Sequence, residues 1–430
     1  MDPTESNWLI LYLQLRLDFS LPKQEGEVWT TSKKIYSYLQ PTGIIYGHPI
    51  ELPKEIKIDF SQWPVKERLE VIFLESLISA YLFENDIEVD NIDSLHNAVK
   101  EIVDFYESTF PEYLKKGIFE PKAKNDEQQL ERILRKRITV KPEWNAEFWR
   151  GFFHNILLFL DVIVFVEFNK AKKANKKFDT KSRIIELQQN IIQLLSVIIN
   201  LDEEKNSNNA NFLGFFIDST ILDKKEKDKA RDTITHPEIE KIFEFLSNSP
   251  WIIKKYYLEL AILSIWADNH VKLAEKDFID NLSKKLDIKD LDFEESTYAV
   301  ESFVLLHWQQ VHYLQSKQNY LILSKRITRR MLAISKKYGN QIKLEIEENK
   351  ELVELLKLSQ KRPLSIEEKE MVRSQLIDVL KTVPVFVILA LPMAFLTVPI
   401  LMKILPKNLF PSSFDPNRLT SPMGKNYIEE

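Results

Sequence analysis

The chain has no cysteine and only 8 glycines in 430 residues. Without cysteine there is no disulfide, no thiolate metal site and no cysteine nucleophile. Ordinary usage would put glycine at about 7% of residues, so its scarcity argues against turn-rich all-β folds and against dinucleotide-type α/β folds. Glycines this scattered assemble neither a P-loop nor a G-x-G-x-x-G turn, and H-E-x-x-H is absent. His307 and His312 stand at i, i+5 and share a helix face poorly, while Asp93 and His96 at i, i+3 read as surface residues. An enzyme is therefore not expected. Charge of one sign is missing too: 59 basic residues face 64 acidic ones, for a net charge of -5. No global field recruits nucleic acid, so DNA is not an expected partner and any RNA contact needs a local patch. The opening MDPTESNWLILYLQLRLDF lacks both a basic n-region and a small-residue cleavage site, so it is not a secretory signal. The expectation is that the bulk of the chain stays in the cytoplasm.

What is present is Lys, Glu, Leu and Ile in long stretches with apolar residues at i, i+3, i+4 and i+7, which predicts a mostly helical chain. Residues 8–60 open with an apolar helix and turn irregular at LQPTGIIYGHPIELPKEI, a loop against a helical core. Two amphipathic helices between Val65 and Phe105 flank the acidic turn FENDIEVDNID, and residues 106–142 read as a polar, Lys-rich connector. The run FFHNILLFLDVIVFVEF from Phe152 contains His154, Asn155, Asp161 and Glu167, so it reads as a buried core helix with internally satisfied polar groups. Lys170, Lys172, Lys173, Lys176 and Lys177 follow it, either as a solvated helix end or as a contact for anionic lipid or RNA. Periodicity resumes at Ile239 and continues to Lys361 with a pause near Gly339.

Val383 to Met402 is different in kind: twenty residues without a charge, with Thr397 as the one polar side chain and Pro384, Pro392 and Pro399 within. At 1.5 Å rise per residue a helix of that length spans a bilayer core, and membrane helices carry prolines that would break a helix in water. Pro392, Pro399 and Pro406 recur every seven residues and so fall along one stripe. Each removes the hydrogen bond to the carbonyl four residues earlier, freeing those of Ile388, Phe395 and Met402. Two readings are open: a kinked anchor whose carbonyls bond water or a partner helix, and a carbonyl-lined cation path. Three basic residues precede the run (Lys369, Arg373, Lys381) and three follow it (Lys403, Lys407, Arg418), so charge does not orient it. A hairpin bent at Pro392 would put both ends on one side.

Two resemblances attach to these residues. In AILSIWADNHVKLAEKDFIDNL, Ala267-Asp268, Val271 and Glu275 resemble the signature of TerB-like helical domains, with Asn269 in place of the usual Gly. That resemblance implies Asp268 and Glu275 as candidate ligands of a divalent cation, although capping and turn formation use the same residue types. Further on, LSIEEKEMVRSQLIDVLKTVP followed by VFVILALPMAFLTVPILMKILPKNLFPSSF resembles the membrane segment of the LETM family, named for a leucine zipper, EF-hands and a transmembrane segment. Asp378, Val383-Pro384, Pro392, Pro399, Lys403, Pro406 and Pro411-Ser412-Ser413-Phe414 occupy the places of the family pattern, and Lys325 to Ala333 looks like its upstream basic helix. The family carries an acidic residue where this chain has Phe395, and neither an EF-hand loop nor the long soluble part associated with ribosome binding follows the membrane segment here.

Together these readings predict an all-α chain: an N-terminal helical region at 1–140, a helical domain at 141–320 with its TerB-like part near 240–300, a LETM-like region at 321–414 with a membrane segment at 383–405, and a polar tail at 415–430. The LETM resemblance implies a membrane-anchored scaffold or adaptor at the bacterial inner membrane, in a group that includes biofilm-associated members. Its expected partners are the lipid bilayer and either the ribosome or other envelope proteins, with Lys325, Arg326, Arg329 and Arg330 as an electrostatic contact. The resemblance also leaves open a subunit of a cation/proton exchange system using Asp378. A third reading is a soluble helical protein in which the apolar run is buried. No cofactor is expected beyond a divalent cation at Asp268 and Glu275.

Overall fold

The computed structural model describes residues 1–19, 21, 29–115, 122–138, 155–201, 213–214, 216–234, 236–266, 273–307, 316–387, 398, 401 and 405. Among them there is helix and no strand. They divide into two compact units, Met1–Asp287 and Ile288–Glu430.

In the first unit, α1 (Trp8–Arg16) lacks a side-chain cap of its own. Glu131, far away in sequence, accepts from the amides of Asn7 at 3.3 Å and Leu9 at 3.1 Å instead, satisfying donors that a helix start leaves open. Helix α2 (Thr31–Leu39) is capped by Thr30 and runs into two 3-10 turns, Gln40–Thr42 and Ile44–Tyr46. The loop expected here is thus folded inward, with Ile44, Ile45 and Tyr46 fully buried. Gly43 and Gly47 hold φ of 81° and 67°, the left-handed region that glycine enters without cost. A Cβ on Gly47 would sit 2.3 Å from the Ile156 amide nitrogen. Gly47 therefore serves a close backbone approach.

Helices α3 (Val65–Asn85) and α4 (Ile92–Thr109) flank the acidic turn. From Leu69 to Ala80 every residue of α3 is buried, the mark of a helix surrounded by others. After the one-turn α5 (Pro111–Leu114), the segment expected as a connector instead contains α6 (Asp126–Arg137), capped by Asn125. Its polar composition hid a short apolar stripe of Leu130, Ile133 and Leu134, all fully buried. Helix α7 (Leu158–Lys173) is the buried core helix expected from the second apolar run, and His154 lies outside the described residues. The lysines at its end are largely paired: Lys172 with Glu101 at 2.7 Å and Asp104 at 3.1 Å, Lys170 with Glu84 at 3.4 Å. The unit continues with α8 (Thr180–Ile199), α9 (Lys224–Thr233), α10 (Ile239–Asn248), α11 (Trp251–Ile265) and α12 (Leu273–Lys285).

Three buried carboxylates tie this unit together. Glu75 on α3 accepts from Tyr12 Oη at 2.6 Å, Arg16 Nε at 3.0 Å and Tyr38 Oη at 3.1 Å. Asp161 on α7 takes both Nε and Nη2 of Arg137, at 2.8 and 3.0 Å, and the Tyr106 hydroxyl at 2.8 Å. Glu259 on α11 accepts from Gln40 Nε2 at 2.9 Å and Tyr46 Oη at 2.7 Å. A buried charge is tolerated when its lone pairs are filled in this way.

The second unit contains α13 (Asp290–Leu306), α14 (Lys317–Lys337), α15 (Gly339–Glu348), α16 (Lys350–Lys361), α17 (Ile366–Lys381) and a 3-10 turn at Pro384–Phe386. Helices α13 and α14 pack as a pair, α16 packs on α17, and Phe386 meets Tyr298 of α13 edge-on at 5.3 Å. Among the described residues no helix is long and apolar enough to cross a membrane. Of the expected bilayer run, residues 388–397 lie outside the described residues; the described beginning, from Val383 to Val387, is a tight turn with Val385 and Phe386 buried.

Candidate functional site

The candidate site is the second unit's α14 with the α17 segment that leads to the apolar run. Helix α14 carries seven cations and no acid over 21 residues. Alone it would repel itself, and the unit answers with acids on α13. Glu301, buried, holds Arg330 Nε at 3.2 Å and lies 3.2 Å from Arg326 Nε. Arg330 also pairs with Glu294, and Glu295 accepts from Lys337 Nζ and Tyr338 Oη, both at 3.0 Å. Burial pushes the Glu301 carboxyl above its ordinary pKa, with Arg330 and Arg326 opposing. This is the electrostatic seam of the α13–α14 pair.

The four residues expected as one basic contact are therefore divided. Arg326 and Arg330 face the seam, while Lys325 and Arg329 are exposed and have no ion pair or hydrogen bond among the described residues. Lys336, which the sequence reading left out, is exposed on the same side. Its signal was available: the acid-free stretch runs through Lys337, and the acids of α13 recur on one face.

Helix α17 begins with a capping box, Ser365 and Glu368 each accepting from the other's backbone amide, and Arg362 adds a 2.7 Å contact to Glu368. Val372, Leu376, Ile377, Val379 and Leu380 are its buried residues. Gln341 Nε2 donates to the Thr382 carbonyl at 3.1 Å, which pins the end of α17 to α15 just before the Val-Pro entry. Asp378 is exposed on α17, and Pro384 is half-buried at the start of the 3-10 turn. Pro392, Pro399, Lys403, Pro406 and Pro411 lie outside the described residues. So does Asp268, and so does the side chain of Glu275. Among the described residues no three His, Asp or Glu side chains gather as they would around a metal ion. Two clefts in the first unit are lined by mixed charge, one of about 310 Å³ at Tyr113, Lys136, Arg137, Lys181 and Asp218, the other of about 420 Å³ at Arg183, Lys241 and Glu244. Neither gathers groups in a catalytic arrangement.

No curated protein and no solved structure matches the chain. A protein-family model described as LETM1-like, RBD matches residues 364–421, beginning at the residue before the α17 cap and covering the helix, the 3-10 turn and the proline-spaced segment. The match to the family's ribosome-binding domain thus falls on residues read from the sequence as the membrane segment and its preceding helix, and not on a missing part beyond them. The chain is LETM-like through residues 364–421.

Proposed function

We propose that the chain is a membrane-anchored, LETM-like adaptor that associates with the ribosome through its second unit. The observation that carries the reading is the match of residues 364–421 to the ribosome-binding domain of LETM1-like proteins. Anchoring is supported by the uncharged run from Val383 to Met402 and its seven-residue proline spacing. The unit's geometry is compatible with it: α17 is capped at its start and pinned at its end, so the chain enters the run from a fixed base. We place the protein at the bacterial inner membrane with its bulk on the cytoplasmic side. Its role is to hold a partner, and the absence of an acid at Phe395 argues against autonomous ion exchange.

The test is sedimentation of the purified full chain with ribosomes through a sucrose cushion across a salt series. Co-pelleting at low salt that fades as salt rises is the expected outcome, because exposed cations contribute through screened contacts. A chain that stays in the supernatant at low salt is not a ribosome partner.

A further inference from the structure

The outward face of α14 has a composition that ribosome association does not account for. At 100° per residue, Ile322, Lys325, Arg329, Leu332, Ala333 and Lys336 fall within an arc of roughly 100°. All six are exposed; Ile322 keeps 50% of its surface and Leu332 36%. The stripe runs about 21 Å along the helix axis. It contains no acid, and its three cations have no ion pair or hydrogen bond among the described residues. The cations that the fold uses, Arg326, Arg330 and Lys337, lie on the neighbouring flank and face the acids of α13. The core face, with Leu323, Ile327, Met331 and Ile334, is buried.

We propose that this stripe is an interfacial contact for the anionic head groups of a lipid bilayer, with Lys325, Arg329 and Lys336 at the phosphate level and Ile322 and Leu332 inserted between the head groups. Charge complementarity selects an anionic surface. The aliphatic pair decides which one. A nucleic acid would engage only Lys325, Arg329 and Lys336, since the stripe has no aromatic side chain to stack on bases and phosphates give Ile322 and Leu332 nothing apolar to bury against. Cations flanking exposed aliphatic residues on one helix face form the arrangement that partitions into a membrane interface. The same unit carries the apolar run, so a bilayer would be close to it. The inference rests on the membrane location proposed above, and it adds a second, peripheral contact that would hold α14 against the surface.

The chain has no cysteine, so Ala333→Cys places a single environment-sensitive fluorophore on the stripe. The labelled full chain is combined with vesicles of phosphatidylcholine alone and of phosphatidylcholine with phosphatidylglycerol. The expected result is a blue shift and loss of iodide quenching in the anionic vesicles only. Reversing the stripe with Lys325→Glu, Arg329→Glu and Lys336→Glu abolishes both changes, and the milder Lys→Gln and Arg→Gln set weakens them. All three side chains are exposed, and an unchanged helical spectrum confirms the fold. Ribosome sedimentation of the same variants separates the two readings: pelleting that survives while lipid shielding is lost supports the lipid contact independently of the ribosome. A label equally open to iodide in both vesicle types overturns the proposal whatever the ribosomes do. Loss of ribosome pelleting with a label that was never shielded overturns it as well, and assigns the stripe to RNA.

Discussion

At the scale of single residues, the first unit depends on carboxylates removed from water. Glu75 and Asp161 each hold a buried arginine, so removing Arg16 or Arg137 would strand a buried charge, a loss on the order of 3–5 kcal/mol, while Glu259 is held by the neutral donors Gln40 and Tyr46. Glu70 is the contrasting case. It is buried on α3 with Lys66 at 3.6 Å, and burial outweighs the opposing charges of Lys66 and Arg135, raising its carboxyl from the ordinary 4.5 to about 7. A carboxyl whose folded-state pKa is raised favours folding when protonated. That contribution is complete below about pH 4.5 and is lost as pH rises through 7. Glu70→Gln removes the dependence, and the expected outcome is little change in stability at pH 5 but a gain of roughly 2 kcal/mol at pH 8. Thermal unfolding of both proteins at the two pH values checks it; equal effects at both would show that Glu70 ionises freely in the fold. The stretch around Glu70 reads as an ordinary amphipathic helix, and nothing local marks this glutamate as the one with so little compensation.

At the scale of elements, helices were legible wherever the apolar stripe was long, as in α3, α4 and α7. They were missed where the stripe was short, as in α6, whose three buried apolar side chains are outnumbered by charge. The turn between α2 and α3 shows another limit. Its glycines and prolines announce irregular backbone, but not that the backbone is buried or what it touches. Gly47, with φ 67° and the Ile156 backbone where a Cβ would be, is the most exacting position in it. Gly47→Ala is expected to cost at least about 2 kcal/mol, from the left-handed conformation together with the clash. A drop in the unfolding midpoint checks this, whereas an unchanged midpoint would mean that the turn and the start of α7 move apart without cost. The basic helix α14 was recognised as basic from its composition. Which of its cations are available depended on the acids of α13, a separate element.

At the scale of the whole molecule, the proposed anchor makes the most direct claim. Membranes carrying the protein, washed with alkaline carbonate, are expected to retain it in the pellet, because an inserted apolar run of this length is not released by stripping electrostatic contacts. Recovery in the supernatant would favour the third reading, a helical protein in which Val383 to Met402 is packed against protein. The described start of that run, where Val385 and Phe386 are buried and Phe386 packs on Tyr298, belongs to the second unit's core. The described residues further along, Val398, Leu401 and Leu405, are buried as well.

By itself the sequence determined the helical class, the main breaks between helices and the LETM likeness, which it read over 321–414 and which the family match supports from residue 364. These features are carried by neighbours along the chain: apolar period, caps, and prolines at fixed steps. Only the tertiary structure decided which charges are used. Arg16 meets Glu75 across 59 residues and Gln40 meets Glu259 across 219, and the division of Arg326 and Arg330 from Lys325 and Arg329 follows the face that α13 covers. A charge pair is fixed by distance in space and by exclusion of water, and neither is a property of the chain until it has folded.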